Sequence, residues 1–213
     1  MRISLIGMSG SGKSIWSKKL AEIGFERFCC DDLIALKLAS ALKRPDKTTM
    51  ELGEWMGFPY EERYATHESR YLACEIEVLN DILDYMENST HQIEPNIVID
   101  TTGSAIYTGE DVLKRLRRCT TVVHLSTPDD IQEIMLKAYI KNQRPVLWRG
   151  LFHKKPDETN AEAMARCYPK LLLSRERLYG KISDVTIGGR DLYRDGFSVD
   201  DLLDRVVLKG ERP

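Results

Sequence analysis

Gly7-Met8-Ser9-Gly10-Ser11-Gly12-Lys13-Ser14 decides the fold of this chain. It satisfies G-x-x-x-x-G-K-[ST], the P-loop pattern, directly after the apolar run Ile3, Leu5, Ile6 and directly before a helical pattern carried by Ile15, Trp16, Lys19, Leu20 and Ile23. A lone G-x-G would read equally well as a flexible turn; strand, loop, Lys-Ser pair and helix in this order read as a phosphate site. The glycines and small serines let successive backbone N–H groups turn inward as an anion nest, and the helix starting near Gly12 adds the positive end of its dipole. Ser9, Gly10, Ser11 and Gly12 form the cradle. The Lys13 ammonium reaches the β- and γ-phosphates of a nucleotide, and the Ser14 hydroxyl is a ligand for the Mg²⁺ that bridges them.

Around this loop, 213 residues with 42% hydrophobic composition suffice for one sizeable core, and two full domains would be cramped. One domain spanning 1–213 is expected. A net charge of −2 supplies no global basic field for a polynucleotide, so nucleic acid is not expected as a partner. No segment has the length and apolarity of a membrane span, and the N-terminal apolar run is needed as a strand, so a cytoplasmic protein away from membranes is expected. Five cysteines, with no C-x-x-C spacing, indicate neither a disulfide framework nor a zinc knuckle. His67, His91, His124 and His153 are scattered and receive no catalytic role.

Along the chain, a strand over about 2–6 and a helix ending near Gly24 open a βα unit. Phe25 to Cys30 reads as a second strand, and Asp31-Asp32 then caps a helix carrying Leu33, Leu36, Leu38, Ala41 and Leu42. Leu72, Ile76, Leu79, Leu83 and Met86 step by four and three residues, the core stripe of a longer helix. Ile97 to Ile99 is a third strand ending at Asp100, and Thr121 to Leu125 a fourth, followed by a helix start at Thr127-Pro128-Asp129. A helix over about 161–179, a fifth strand over 185–187 and a helix over 199–207 close the chain. Alternating strands and helices predict an α/β protein, a parallel sheet covered on both faces, with ligands at the carboxyl ends of the strands.

Gly7, Asp31 and Asp100 all fall at such ends and are expected to meet around one phosphate group. Phosphoryl transfer to a hydroxyl requires a carboxylate to accept the proton, and Asp31 is the candidate. Asp100 closes a β-branched run as a Walker-B aspartate does when it holds Mg²⁺ directly or through water, and Gly103 lets backbone approach a ligand.

These residues resemble the shikimate kinase family of P-loop small-molecule kinases over most of the length. Val122-Val123-His124-Leu125-Ser126-Thr127-Pro128 is similar to the family's fourth strand and helix start, Arg144-Pro145-Val146-Leu147 to its R-P-L-L lid signature, and Arg175-Glu176-Arg177-Leu178-Tyr179 to R-x-P-L-Y. Ile182 to Ile187 falls where the family has A-D-x-x-V. The resemblance implies a three-layer α/β/α P-loop fold with strand order 2-3-1-4-5, acceptor-binding helices over about 31–90, a mobile lid over about 142–168, and transfer of the ATP γ-phosphate to a small-molecule hydroxyl. It makes Arg144 the lid arginine at the transferring phosphate, puts Lys137 near the nucleotide base, and lets Arg175 pair an anionic group of the acceptor.

The departures gather in the acceptor half. The family's D-x-D is Cys29-Cys30-Asp31, its G-G-G is Thr102-Gly103-Ser104, and its second acceptor arginine falls on Ala65, with Arg63 and Arg70 nearby. The basic segment from Trp148 to Tyr168 is longer than the family's lid. The acceptor is therefore left open between shikimate and a related anionic metabolite. A nucleoside-monophosphate kinase and an ATP-binding regulatory protein without phosphoryl transfer are the alternatives.

Overall fold

Ile3, Leu5 and Ile6 of β1 (Arg2–Ile6) are fully buried on both faces of the strand, as a central strand between two helical layers requires. In this computed structural model, which describes residues 1–88, 95–128, 132–142, 144–192 and 194–210, β1 runs through the glycine-rich loop into α1 (Lys13–Glu22). β2 (Glu26–Cys29), α2 (Cys30–Lys37), α3 (Leu52–Met56), α4 (Tyr64–Asn88) and β3 (Ile97–Asp100) follow. A 3₁₀ turn (Ala105–Tyr107), α5 (Glu110–Cys119), β4 (Thr121–Ser126) and α6 (Gln132–Lys141) come next. The chain then forms α7 (Asn160–Ile182), β5 (Val185–Gly188), α8 (Gly189–Leu192) and α9 (Val199–Gly210).

The five strands pair in parallel in the order β2-β3-β1-β4-β5, as the resemblance implies. Alternate strand residues feed two cores. Ile6, Ile97, Ile99 and Val122 pack with α2, α4, α5 and α7, whereas Ile3, Leu5, Val98, Val123 and Leu125 pack with Trp16 and Leu20 of α1 and Leu202 and Val206 of α9. The result is three layers. Leu5 and Cys29 both lie in register with Asp100, so the carboxyl ends of β1, β2 and β3 stand side by side.

Three local expectations change. Asp31 and Asp32 lie within the first turn of α2, whose N-cap is Cys29, and the helix stops at Lys37, leaving Leu38 and Leu42 to be buried from the turns that follow. α4 buries Val78, Leu79, Ile82, Leu83 and Met86 in its C-terminal half, but Tyr64, Glu68, Tyr71 and Glu75 in its N-terminal half, where Leu72 and Ile76 are only half-buried. That half packs on the segment 146–149 and on the loop after β3, with Tyr71 lining a polar cleft. Asp129 of the expected Thr127-Pro128-Asp129 helix start, and His91, lie outside the described residues. Among the described residues, no helix is long and apolar enough to cross a membrane.

Candidate active site

The P-loop closes over the carboxyl end of β1. Gly7 has φ +145°, and a Cβ there would stand 2.5 Å from the Leu125 carbonyl oxygen and 2.8 Å from Ser11 Oγ, so no other residue fits. Gly12, with φ 95°, is the N-cap of α1. Lys13 is buried, and its Nζ donates to the carbonyls of Gly7 (2.8 Å) and Met8 (2.9 Å). Burial lowers the Lys13 pKa, opposed by the charges of Asp31 and Asp100, with Arg175 and Arg144 pushing the same way as burial. Ser11 Oγ is buried with no hydrogen-bond partner, and Ser14 is exposed at the first turn of α1. A cleft of about 580 Å³ opens in front of this loop, and Ser9, Gly10, Gly12, Lys13, Ser14, Asp31, Gly103, Arg144 and Arg175 all line it.

Asp31 enters from the first turn of α2 and accepts a hydrogen bond from the Tyr71 hydroxyl at 3.2 Å. Loss of solvent within the cleft raises its carboxyl pKa, while Lys13 and the Tyr71 hydroxyl pull it down. A carboxylate held between such influences is suited to receive a proton. Arg144 reaches the loop directly, its Nη1 donating to Ser9 Oγ at 3.2 Å. Arg175, on α7 and 4% exposed, donates from Nη2 to the Leu147 carbonyl at 2.8 Å, and its Nε is buried without a partner. A Cβ on Gly103 would lie 3.3 Å from both Arg175 Nη1 and the Ser9 backbone nitrogen, so the loop after β3 passes close to both.

Asp100, expected to hold Mg²⁺, is 3% exposed and engaged elsewhere. Its Oδ2 accepts from Arg27 Nη2 at 2.7 Å and from Ser17 Oγ at 3.0 Å, and Arg27 Nε also donates to Ser17 Oγ at 2.7 Å. This ion pair ties β2, β3 and α1 together beneath the loop. Lys137 is exposed on α6 and is not among the residues that line the cleft. The segment 142–168 is not one unit. Val146, Leu147 and Trp148 are buried, Trp148 within ring contact of Tyr139, Phe152 and Tyr168, and residues 160–168 are the opening turns of α7.

Four residues unread in the sequence support the site, and of them Tyr71 lines the cleft. Tyr64, Glu68, Tyr71 and Glu75 recur at steps of four, three and four on α4, a polar stripe with the same helical period as the apolar one. Tyr64 Oη accepts from the Trp148 backbone N–H (2.8 Å) and lies within hydrogen-bond distance of the Val146 carbonyl (2.8 Å) and Glu68 Oε1 (2.7 Å), while Glu68 Oε1 accepts from the Arg149 N–H (2.9 Å). α4 thus fixes the backbone just beyond Arg144. Glu75 is fully buried and accepts from the hydroxyls of Thr102 and, at 2.6 Å, Ser104. Arg63 pairs with Glu61, and Arg70 is exposed; neither lines the cleft.

Burial pushes the Glu75 pKa up to about 7, with the Ser104 and Thr102 hydroxyls opposing it. Its folded pKa lies above its ordinary value, so the native state binds the proton more tightly, and the stabilisation present at low pH is lost as pH rises through about 7. From pH 6 to pH 8 the parent is expected to lose stability on the order of 1 kcal/mol more than Glu75→Gln does. Urea melts of both at each pH check this, and parallel losses would place the titration elsewhere.

No protein-family profile matches the chain, and no curated protein matches it. Solved structures do. The shikimate kinase from Acinetobacter baumannii in complex with shikimate matches with a TM-score of 0.61 and 23% identity, covering 100% of this chain and 95% of that one. The shikimate kinase from Bacteroides thetaiotaomicron gives 0.58 and 18%, covering 100% and 99%, and that from Aquifex aeolicus 0.55 and 19%, covering 99% and 96%. At these identities the likeness is one of fold over the whole chain.

Proposed function

We propose, from a fold shared with the shikimate kinases, that this protein transfers the γ-phosphate of ATP to a hydroxyl of a small anionic metabolite. The observation that carries the reading is the convergence on one cleft of Lys13, Asp31, Arg144 and Arg175, contributed by four separate stretches of chain. A phosphate nest, a carboxylate and two guanidiniums are what phosphoryl transfer to an anionic alcohol asks for.

In the reaction, the acceptor oxygen bonds to the γ-phosphorus as the bond from that phosphorus to the bridging oxygen breaks. The bridging electron pair leaves with ADP, and the hydroxyl proton passes to Asp31. Lys13 exchanges its two carbonyl partners for phosphate oxygens, and Arg144, already at Ser9, faces the charge that spreads over the transferred group. Arg175 anchors the acceptor's anionic group through donors that include the unpartnered Nε. Mg²⁺ would supply charge neutralisation between the β- and γ-phosphates. The donors fit that ion in part: Ser14 is open at the helix start, Asp100 is shared with Arg27, and the described residues hold no cluster of three or more His, Cys, Asp or Glu suited to a metal.

Asp31→Asn tests the assignment because it removes the proton acceptor with little change of shape. Turnover with a hydroxylated acceptor found by ATP-consumption screening is expected to fall about 10²-fold or more, while ATP affinity stays within a few fold. Lost ATP affinity with unchanged turnover of bound substrate would move Asp31 out of the acceptor site.

A further inference from the structure

Glu75, Thr102 and Ser104 form a closed set of three oxygen contacts beside the cleft. One Glu75 oxygen meets Thr102 Oγ1, the other meets Ser104 Oγ at 2.6 Å, and the two hydroxyl oxygens lie 2.9 Å apart. Each hydroxyl brings one proton. An ionised Glu75 accepts from both hydroxyls, which leaves lone pairs facing each other between them; a protonated Glu75 supplies a third proton, and every contact becomes a hydrogen bond around a ring. Thr102 Oγ1 also accepts from the Ser104 backbone N–H at 3.0 Å, which fills its remaining lone pair. The surroundings favour the neutral acid. Glu75 is 0% exposed, no cation pairs with it among the described residues, and Arg175, a positive charge that acts on it, donates instead to the Leu147 carbonyl.

The ring brackets one wall of the cleft. Thr102 and Gly103 line it, and Gly103 sits between the two hydroxyl residues, its carbonyl accepting from the Tyr179 hydroxyl at 2.7 Å. A Cβ on Gly103 would lie 3.3 Å from Arg175 Nη1 and from the Ser9 backbone nitrogen, so this wall is packed closely against the buried arginine and the phosphate loop. The titratable groups around Glu75 are Asp31 and Cys30 on α2, Tyr71 on its own helix, and Arg175 and Tyr179 on α7. Burial holds the Cys30 thiol and both tyrosine hydroxyls above their ordinary values, and Arg175 stays charged. Near neutral pH, Glu75 and Asp31 are the members of this group whose charge can change.

We propose that Glu75 is a positioning residue held as the neutral acid, whose proton completes the ring with Thr102 and Ser104 and so fixes the Gly103 wall against which the acceptor binds. The use of that wall rests on the phosphotransfer reading; the ring does not. Loss of the proton removes one of three hydrogen bonds and sets a negative charge where no counter-ion pairs with it, so the ring opens and the wall loosens as pH rises. A glutamine side chain donates and accepts as the neutral acid does and has no proton to lose near neutral pH, so Glu75→Gln keeps the ring closed throughout.

Infrared spectra test the ring. In the difference between parent and Glu75→Gln, the carbonyl stretch of a protonated carboxyl is expected in mildly acidic solution and is expected to vanish as pH rises through about 7. Ser104→Ala removes one partner of the acid and is expected to shift that band, which assigns it a second way. No such band in mildly acidic solution overturns the ring. Amide hydrogen exchange tests the wall: from about pH 6 to about pH 8, exchange at Gly103 and Ser104 is expected to rise about fivefold more in the parent than in Glu75→Gln, with amides elsewhere rising equally in the two. Equal rises at these amides, or a larger rise across the whole parent chain, overturn the positioning role. ATP turnover separates this inference from the reading it builds on. With a hydroxylated acceptor found by ATP-consumption screening, the ratio of parent to variant turnover is expected to fall about fivefold over the same range, and a constant ratio overturns the positioning role. If neither protein consumes ATP, the phosphotransfer reading falls, while the band and the two amides still decide the ring and the wall.

Discussion

Replacing Arg144 by alanine is expected to lower kcat about 10³-fold while ATP affinity changes only a few fold. Arg144 is exposed, carries no carboxylate partner among the described residues and touches the loop through one hydrogen bond to Ser9 Oγ. Its loss therefore costs little folding or ground-state binding. A guanidinium at that place meets the γ-phosphate and gains most when charge spreads over the transferring group, so its value lies in the transition state. Arg144→Lys is expected to recover little, because an ammonium cannot present two planar donors to two oxygens at once. Single-turnover rates, with ATP affinity measured separately for parent, Arg144→Ala and Arg144→Lys, decide the matter. A lysine variant with parental turnover would reduce Arg144 to a diffuse charge, and equal rates in all three would remove it from the mechanism.

Lys13→Met is expected to erase both turnover and most of the nucleotide's protection against unfolding. Methionine keeps the buried aliphatic stem, so the substitution removes the ammonium with less packing loss than alanine would cause. A ligand that binds only the folded state adds about 2.7 kcal/mol at one hundred times its Kd. The parent should show the rise in Tm that corresponds to this stabilisation with ATP at about one hundred times its Kd, and the variant little of it at the same concentration. Turnover should fall about 10²-fold or more, as when one preorganised donor to developing charge is removed. Matching Tm responses in parent and variant would place the phosphate site away from Lys13. Without nucleotide, Tm isolates any effect of losing the hydrogen bonds from Nζ to Gly7 and Met8.

The sequence by itself determined the succession of strands and helices and the glycine-rich loop between β1 and α1. The Gly7 to Ser14 pattern and short apolar runs are local signals: the central strands β1, β3 and β4 are buried on both faces, and the loop needs particular residues, so the chemistry is written in neighbouring positions. Asp31 was legible as an acid at a strand end, and Arg144 and Arg175 through the resemblance; the cleft brings all three to the loop. The acceptor end was decided by tertiary structure. Glu68 and Glu75 look like surface acids on a helix until α4 packs against the segment 146–149 and the loop after β3, where burial and hydroxyl partners change what a carboxylate does. Asp100 ends its strand as a metal ligand would, yet an arginine two residues before the end of the adjacent strand holds it, a pairing set by the register of β2 against β3. Local periodicity records which face of an element is apolar; the charge state and partners of a buried polar group depend on what other elements bring against it.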